Sequence, residues 1–159
     1  MIALLWHLVS VLSCYASGGS NCEMVMSPVQ IYETMRGAGF PGVVAVTMTA
    51  VALRESSGDP NAFNGNSETG DRSYGLLQIN MLSPEVNSLL TSSIPEVAAD
   101  EKALLDPAIN AKAGFLLYGG RVSNLNIAWY IDHPGSYQQR YESHLPVAQA
   151  AALASSLGL

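Results

Sequence analysis

A mainly α-helical fold with at most a small β-hairpin is what this sequence predicts, and three observations carry the prediction. Helix start and stop residues recur at helix-length spacing, from Ser27-Pro28 through Asp106-Pro107 to Gly158. The long interval without them, Asn61 to Arg72, is built of Gly, Asn, Asp and Ser, so it belongs to turns and leaves room only for short strands. The chain has 159 residues, of which 48% are hydrophobic and 13% charged, a composition that gives one domain around one core.

In chain order, residues Ile2 to Tyr15 are almost all apolar and lead into the small, polar Ala16-Ser17-Gly18-Gly19-Ser20. Two readings stand for this segment. It is a secretory signal or anchor with cleavage near Ala16, although the usual basic n-region is missing, or it is an ordinary buried helix interrupted by His7. It is short for a membrane span, which takes roughly 20 apolar residues. We therefore divide the chain into a segment 1–22 and a body 23–159. In the body, Ser27-Pro28-Val29-Gln30 reads as a capping box with Pro at the first helical position. The helix it opens carries Ile31 and Met35 on one side and should stop at Gly37 or Gly39.

Pro41 opens the next helix, in which Val43, Val44, Val46, Met48, Val51 and Leu53 put apolar surface on nearly every side, the mark of a central helix. Glu55 stands at its C-terminal end, before the breaker Ser56-Ser57-Gly58-Asp59-Pro60. Ser83-Pro84-Glu85 starts a short helix through Leu89 and Leu90. Pro95 to Ala103 is a further helical turn or an irregular link. Asp106 as N-cap and Gly119-Gly120 as stop bracket a helix whose stripe is Ile109, Ala113, Leu116 and Leu117. Asn126 to Trp129 reads as a buried segment, His133-Pro134-Gly135 as a break, and Tyr137 to His144 and Pro146 to Leu157 as helices.

Composition also excludes function classes. Seven basic against thirteen acidic residues give a net charge of −6, and no basic patch or aromatic-basic interleaving is present, so a nucleic-acid partner is not expected. Two cysteines, Cys14 and Cys22, make no disulfide framework for the body. Three histidines without ligand spacing predict neither a metal site nor a cofactor.

The chemistry centres on the stretch from Glu55 to Asn80. At a helix C-terminus the unpaired carbonyls carry about half a negative charge, which disfavours an ionised carboxylate. Apolar neighbours push the same way by desolvation. A glutamic acid kept protonated near neutral pH can donate its proton to a leaving oxygen, as glycosidic cleavage requires. On its own, Glu55 reads equally as a surface residue that follows a helix.

The wider pattern adds to it. Glu55-Ser56-Ser57-Gly58, a polar loop, then Gly75-Leu76-Leu77-Gln78-Ile79-Asn80 resembles the lysozyme-like superfamily, in particular the goose-type lysozyme and soluble lytic transglycosylase branch found in phage and bacterial cell-wall lytic domains. Tyr74 to Asn80 is also similar to the corresponding stretch of chicken-type lysozymes. Ala128 to Gly135 looks like a degenerate AYNAGPG motif, with Ile131 where that motif has Asn. The likeness covers about Ser27 to Tyr141, most of a domain of ordinary size.

The resemblance implies a lysozyme-like fold and cleavage of the β-1,4 bond between N-acetylmuramic acid and N-acetylglucosamine in peptidoglycan, with Glu55 as the catalytic acid. It implies a sugar cleft lined by Ser73, Tyr74, Gln78, Asn80 and Tyr130. Gln78 offers an amide for a sugar hydroxyl or acetamido group, and Tyr130 a ring and a hydroxyl. Gln78 could instead cap its loop, and Tyr130 could be core.

The second carboxylate decides the mechanism. Chicken-type sequences have an aspartate just before the Tyr-Gly pair, and here that residue is Ser73. Asp71, two residues earlier, would point to the same side in extended backbone and could position a water for hydrolysis. Otherwise the muramic acid's own 6-hydroxyl attacks, as in lytic transglycosylases, and Glu55 serves as acid and then as base. Asp71 is equally at home as a turn residue.

Net negative charge opposes long-range attraction to an anionic wall. The domain would then be delivered by tethering in a larger virion or cell-surface assembly, facing the cell wall or outside the cell. The alternative to an enzyme is a lysozyme-like domain that binds wall glycan, or is structural in a virion, without cleaving.

Overall fold

The computed structural model describes residues 25–66, 68, 70–119 and 141–159. The apolar segment 1–22, and with it its two readings, lies outside the described residues. So do the buried segment, break and degenerate motif read between Asn126 and Gly135, Tyr130 included. Among the described residues no helix is long and apolar enough to cross a membrane.

The first helix, α1 (Pro28–Gly37), starts on the predicted capping box. Ser27 Oγ accepts from the Gln30 backbone N–H at 3.3 Å, and the Ser27 N–H donates to Gln30 Oε1 at 2.9 Å. Two donors that a helix start leaves without partners are thereby satisfied. Ile31 and Met35 are its buried residues, as their spacing predicts.

Helix α2 (Gly42–Ser56) follows Pro41 and runs through the core, with Val44, Ala45 and every residue from Met48 to Ala52 buried. Val43 is the exception: it is 84% exposed, so the apolar surround holds for the middle turns and not for the first. The one buried hydroxyl there, Thr49 Oγ1, donates to the Ala45 carbonyl at 2.8 Å. The helix ends where Ser57 turns left-handed (φ 54°) and gives its N–H to the Leu53 carbonyl.

The β-element between α2 and the next helix is slightly larger than a hairpin. Strands β1 (Phe63–Asn64), β2 (Ser73–Tyr74) and β3 (Ile79–Asn80) form an antiparallel sheet in that order. Phe63 pairs with Tyr74 on one side, and Tyr74 with Ile79 and Ser73 with Asn80 on the other. Two-residue strands bury too little to stand alone. They hold because the central strand β2 is buried along its length.

Helix α3 (Pro84–Ser93), α4 (Pro95–Ala99) and a 3-10 turn (Glu101–Leu105) then lead to α5 (Pro107–Tyr118), and the chain closes with α6 (Leu145–Leu157). Asp106 caps α5, its Oδ1 accepting from the N–H groups of Ala108 at 2.8 Å and Ile109 at 3.0 Å. Gly119 (φ 64°) and Gly158 (φ 71°) stop α5 and α6 in the left-handed conformation, as predicted. The buried face of α5 is rotated from the predicted stripe. It consists of Asn110, Ala111, Ala113, Gly114 and Tyr118, while Ile109, Leu116 and Leu117 pack at the margin of the core. Small residues let this helix approach its neighbours closely, so shape and not hydrophobicity chose the face. Phe40 closes the core against Phe115 edge-on at 5.2 Å and against Tyr118 at 5.5 Å.

Asn110 is completely buried, and its whole amide is spent on backbone. Nδ2 donates to the carbonyls of Tyr74 at 2.9 Å and Leu104 at 2.8 Å, and Oδ1 accepts the Leu77 N–H at 2.9 Å. Gly75 lies against this amide with φ 69°, and a Cβ there would stand 2.4 Å from the Leu104 carbonyl oxygen and 2.5 Å from Asn110 Nδ2. Only glycine fits both the space and the backbone angle. Replacing Asn110 by Ala strips two buried carbonyls of this donor and should destabilise the domain by on the order of 3–5 kcal/mol, read from denaturant unfolding.

Candidate active site

Glu55 is in the last turn of α2, partly buried, with Val51 and Ala52 one turn earlier and the polar loop directly after it. That position follows from the sequence: the apolar run sets the helix, and the Ser57-Gly58 left-handed pair ends it (φ 54° and 83°). The loop is tied back at once. Met26 N donates to the Gly58 carbonyl at 2.9 Å, and Asp59 N to the Ser56 carbonyl at 3.0 Å. The helix end that carries Glu55 is thus fastened both to the start of α1 and to the loop.

The loop side contains a second set of predicted residues, drawn into one network. Asp71 Oδ1 accepts from Ser73 Oγ at 3.4 Å and from Asn80 Nδ2 at 3.3 Å. Asn80 Nδ2 also donates to the Gly70 carbonyl at 3.1 Å. Its Oδ1 accepts from the N–H groups of Arg72 at 3.2 Å and Leu82 at 2.9 Å. The Asn80 amide therefore closes the β2–β3 pair across the turn, and Ser73 is buried beneath it.

Gln78 is held in a left-handed conformation (φ 45°), which costs a non-glycine residue of order 1–2 kcal/mol. Its Nε2 donates to the carbonyls of Ala62 and Gly75, each at 3.0 Å. Both amide protons are used to lock the turn onto β1, so what Gln78 can offer a ligand is its carbonyl oxygen as acceptor. Tyr74 is buried, its ring 4.9 Å from that of Phe63. Its hydroxyl donates to Glu101 Oε1 at 2.6 Å, and Glu101 Oε2 pairs with Arg72 at 3.1 Å. The ring of Tyr74 is part of the support under the sheet.

Three contributors escape sequence reasoning: Asn110, Glu101 and Arg72. The first had a faint signal, as a polar residue one turn into a helix that is otherwise apolar on that side. The other two act across the chain, Tyr74 to Glu101 spanning 27 positions, and nothing local announces them.

A family model described as a lysozyme-like domain matches residues 32–131. No curated protein and no solved structure matches the chain. The matched range runs from α1 through the sheet and α5, and contains Glu55, Asp71, Ser73, Tyr74, Gln78, Asn80 and Tyr130.

Burial first, and then the bond to the Glu101 carboxylate, push the Tyr74 hydroxyl up to about 12 from its ordinary 10.0. The unfolded chain releases this proton near pH 10, while the native one keeps it to about 12. Over that window the native state binds more protons, so its stability falls as pH rises. In Tyr74→Phe this alkaline loss should shrink while overall stability drops; urea unfolding followed between neutral pH and pH 12 checks it.

Proposed function

The family match spans more than half of the chain, which therefore belongs to the lysozyme-like domain family, and we propose that it cleaves peptidoglycan at the β-1,4 bond between N-acetylmuramic acid and N-acetylglucosamine by lytic transglycosylation. The observation that supports this most is the position of Glu55, a partly buried residue in the last turn of the core helix, one turn after the buried Val51 and Ala52 and directly before the polar loop.

The reaction then needs only that one group. Glu55 gives its proton to the glycosidic oxygen as the bond to C1 of the muramic acid breaks. The 6-hydroxyl of the same sugar attacks C1, and the Glu55 carboxylate takes the hydroxyl proton. A 1,6-anhydro end is left and the acid is restored, with no water consumed. In this reading Asp71, Ser73 and Asn80 keep one wall of the cleft in shape through their mutual bonds. Gln78 offers its carbonyl oxygen to the acetamido N–H or a hydroxyl, and Tyr130 keeps the sugar-contact role that the family resemblance implies.

Hydrolysis is the second reading. It has one observation in its favour: the bonds from Ser73 and Asn80 fix where the Asp71 carboxylate points, as a base that positions water would need. The net charge of −6 supports delivery of the domain to the wall as part of a larger cell-surface or virion assembly.

Wall clearing by Glu55→Gln and Asp71→Asn separates these readings. Glu55→Gln should lose roughly 100-fold or more, the usual worth of a general acid, while Asp71→Asn retains much of the wild-type rate. Loss in both variants alike selects hydrolysis. Inactivity of the wild type selects a domain that binds glycan without cleaving it. The free domain should also digest walls faster as salt rises toward about 0.15 M, where repulsion is screened beyond about 8 Å. A rate indifferent to salt removes the electrostatic case for tethering.

A further inference from the structure

The chain contains a single Asn-Gly pair, Asn64-Gly65, placed where strand β1 ends, and both residues are exposed. An asparagine in this setting can react with its own backbone. The amide nitrogen of the next residue reaches the side-chain carbonyl carbon, and glycine puts no Cβ in its way. In a folded chain the reaction is held back wherever the side-chain amide or the following N–H is engaged.

The other described asparagines are engaged in this way. Asn66 Oδ1 accepts the Glu68 N–H at 3.0 Å, and Asn87 Nδ2 donates to the Met81 carbonyl at 3.3 Å. The amides of Asn80 and Asn110 are spent on the bonds given above. After Asn61, the Ala62 N–H is tied to the Asp59 carbonyl at 3.3 Å. Asn64 differs on both counts. Among the described residues its side-chain amide has no hydrogen-bond partner. Gly75 N donates to the Ala62 carbonyl, and bonded pairs alternate along antiparallel strands, so Asn64 with Ser73 is the next bonded pair and the last. The Gly65 N–H falls outside that ladder, and no other backbone carbonyl among the described residues accepts it.

We propose that Asn64 is a self-modification site of the folded domain, which converts with time to aspartate and isoaspartate. The Gly65 nitrogen attacks Cγ of Asn64 as its proton passes to water. The Cγ–Nδ2 bond breaks, ammonia leaves carrying a proton returned by water, and a cyclic imide remains. Water then opens the imide at Cγ, which gives aspartate, or at the main-chain carbonyl carbon, which gives isoaspartate with the backbone routed through the side chain. One water is consumed and one ammonia released. The product adds a negative charge to a chain of net charge −6. Its carboxylate stands in the row Asn64–Ser73–Asn80, whose last two side chains bond Asp71, so two like charges come to one face of the sheet.

The test incubates the full chain at mildly alkaline pH, once folded and once in urea, and follows each asparagine by mass spectrometry of proteolytic peptides. In the folded protein Asn64 should convert roughly tenfold or more faster than any other described asparagine. An acidic isoform should accumulate in parallel on isoelectric focusing, and it should be lost in Asn64→Gln, whose longer side chain closes the ring far more slowly. A folded protein that keeps Asn64 intact while the urea-unfolded chain converts it overturns the proposal. So does earlier conversion at another described asparagine, or an acidic isoform that accumulates equally in Asn64→Gln. Neither readout uses cell walls, so the result stands or falls apart from the cleavage reading.

Discussion

The loop that carries most of the candidate site has almost no regular structure of its own: three strands of two residues each and a run of turns. What fixes it is one buried amide. Asn110 reaches from α5 to Tyr74 and Leu77 on either side of the Gly75 turn, and to Leu104 at the end of the 3-10 turn. All three of these bonds lie out of water, where a hydrogen bond is stronger and a missing one costs more. Gly75 sits against the amide with no room for a side chain, which is why the turn and the helix can approach so closely. Turn, sheet and helix are therefore one unit.

From that unit the rest of the loop is built outward. The Gln78 amide fastens the turn to β1, and the Asn80 amide closes β2 onto β3 around Asp71. Tyr74 passes the anchorage on to Phe63 through ring contact and to Glu101 through its hydroxyl. The end of α2 with Glu55 is held by the core and by the Met26–Gly58 bond. Side-chain amides here stand in for the ladder bonds that longer strands would supply. The side-chain amide donors of the motif thus hold the loop.

Much of the fold was legible because its signals are local. Ser27 with Gln30, Asp106 before Pro107, and Gly119 and Gly158 each act within one helical turn, and each marks the boundary seen. The central role of α2 was legible from its apolar run, apart from Val43 in its exposed first turn. The third strand was not, since two residues such as Ile79 and Asn80 cannot show an alternation. The face of α5 was misjudged by hydrophobicity because Asn110 and Gly114 are buried for their bonds and their size. In the site, Glu55 and the Gly75–Asn80 motif stood out by pattern, whereas the division of work among Asp71, Ser73, Gln78 and Asn80 depends on partners that only the folded chain brings together.

We propose that one acid, Glu55, suffices for cleavage and that the substrate supplies its own nucleophile. The most direct measurement is mass spectrometry of the fragments released when the wild-type protein digests purified cell walls. Transglycosylation predicts muropeptides ending in 1,6-anhydro-N-acetylmuramic acid, each one water lighter than its hydrolysed counterpart. Fragments with reducing ends alone, or no soluble fragments at all, would contradict the account.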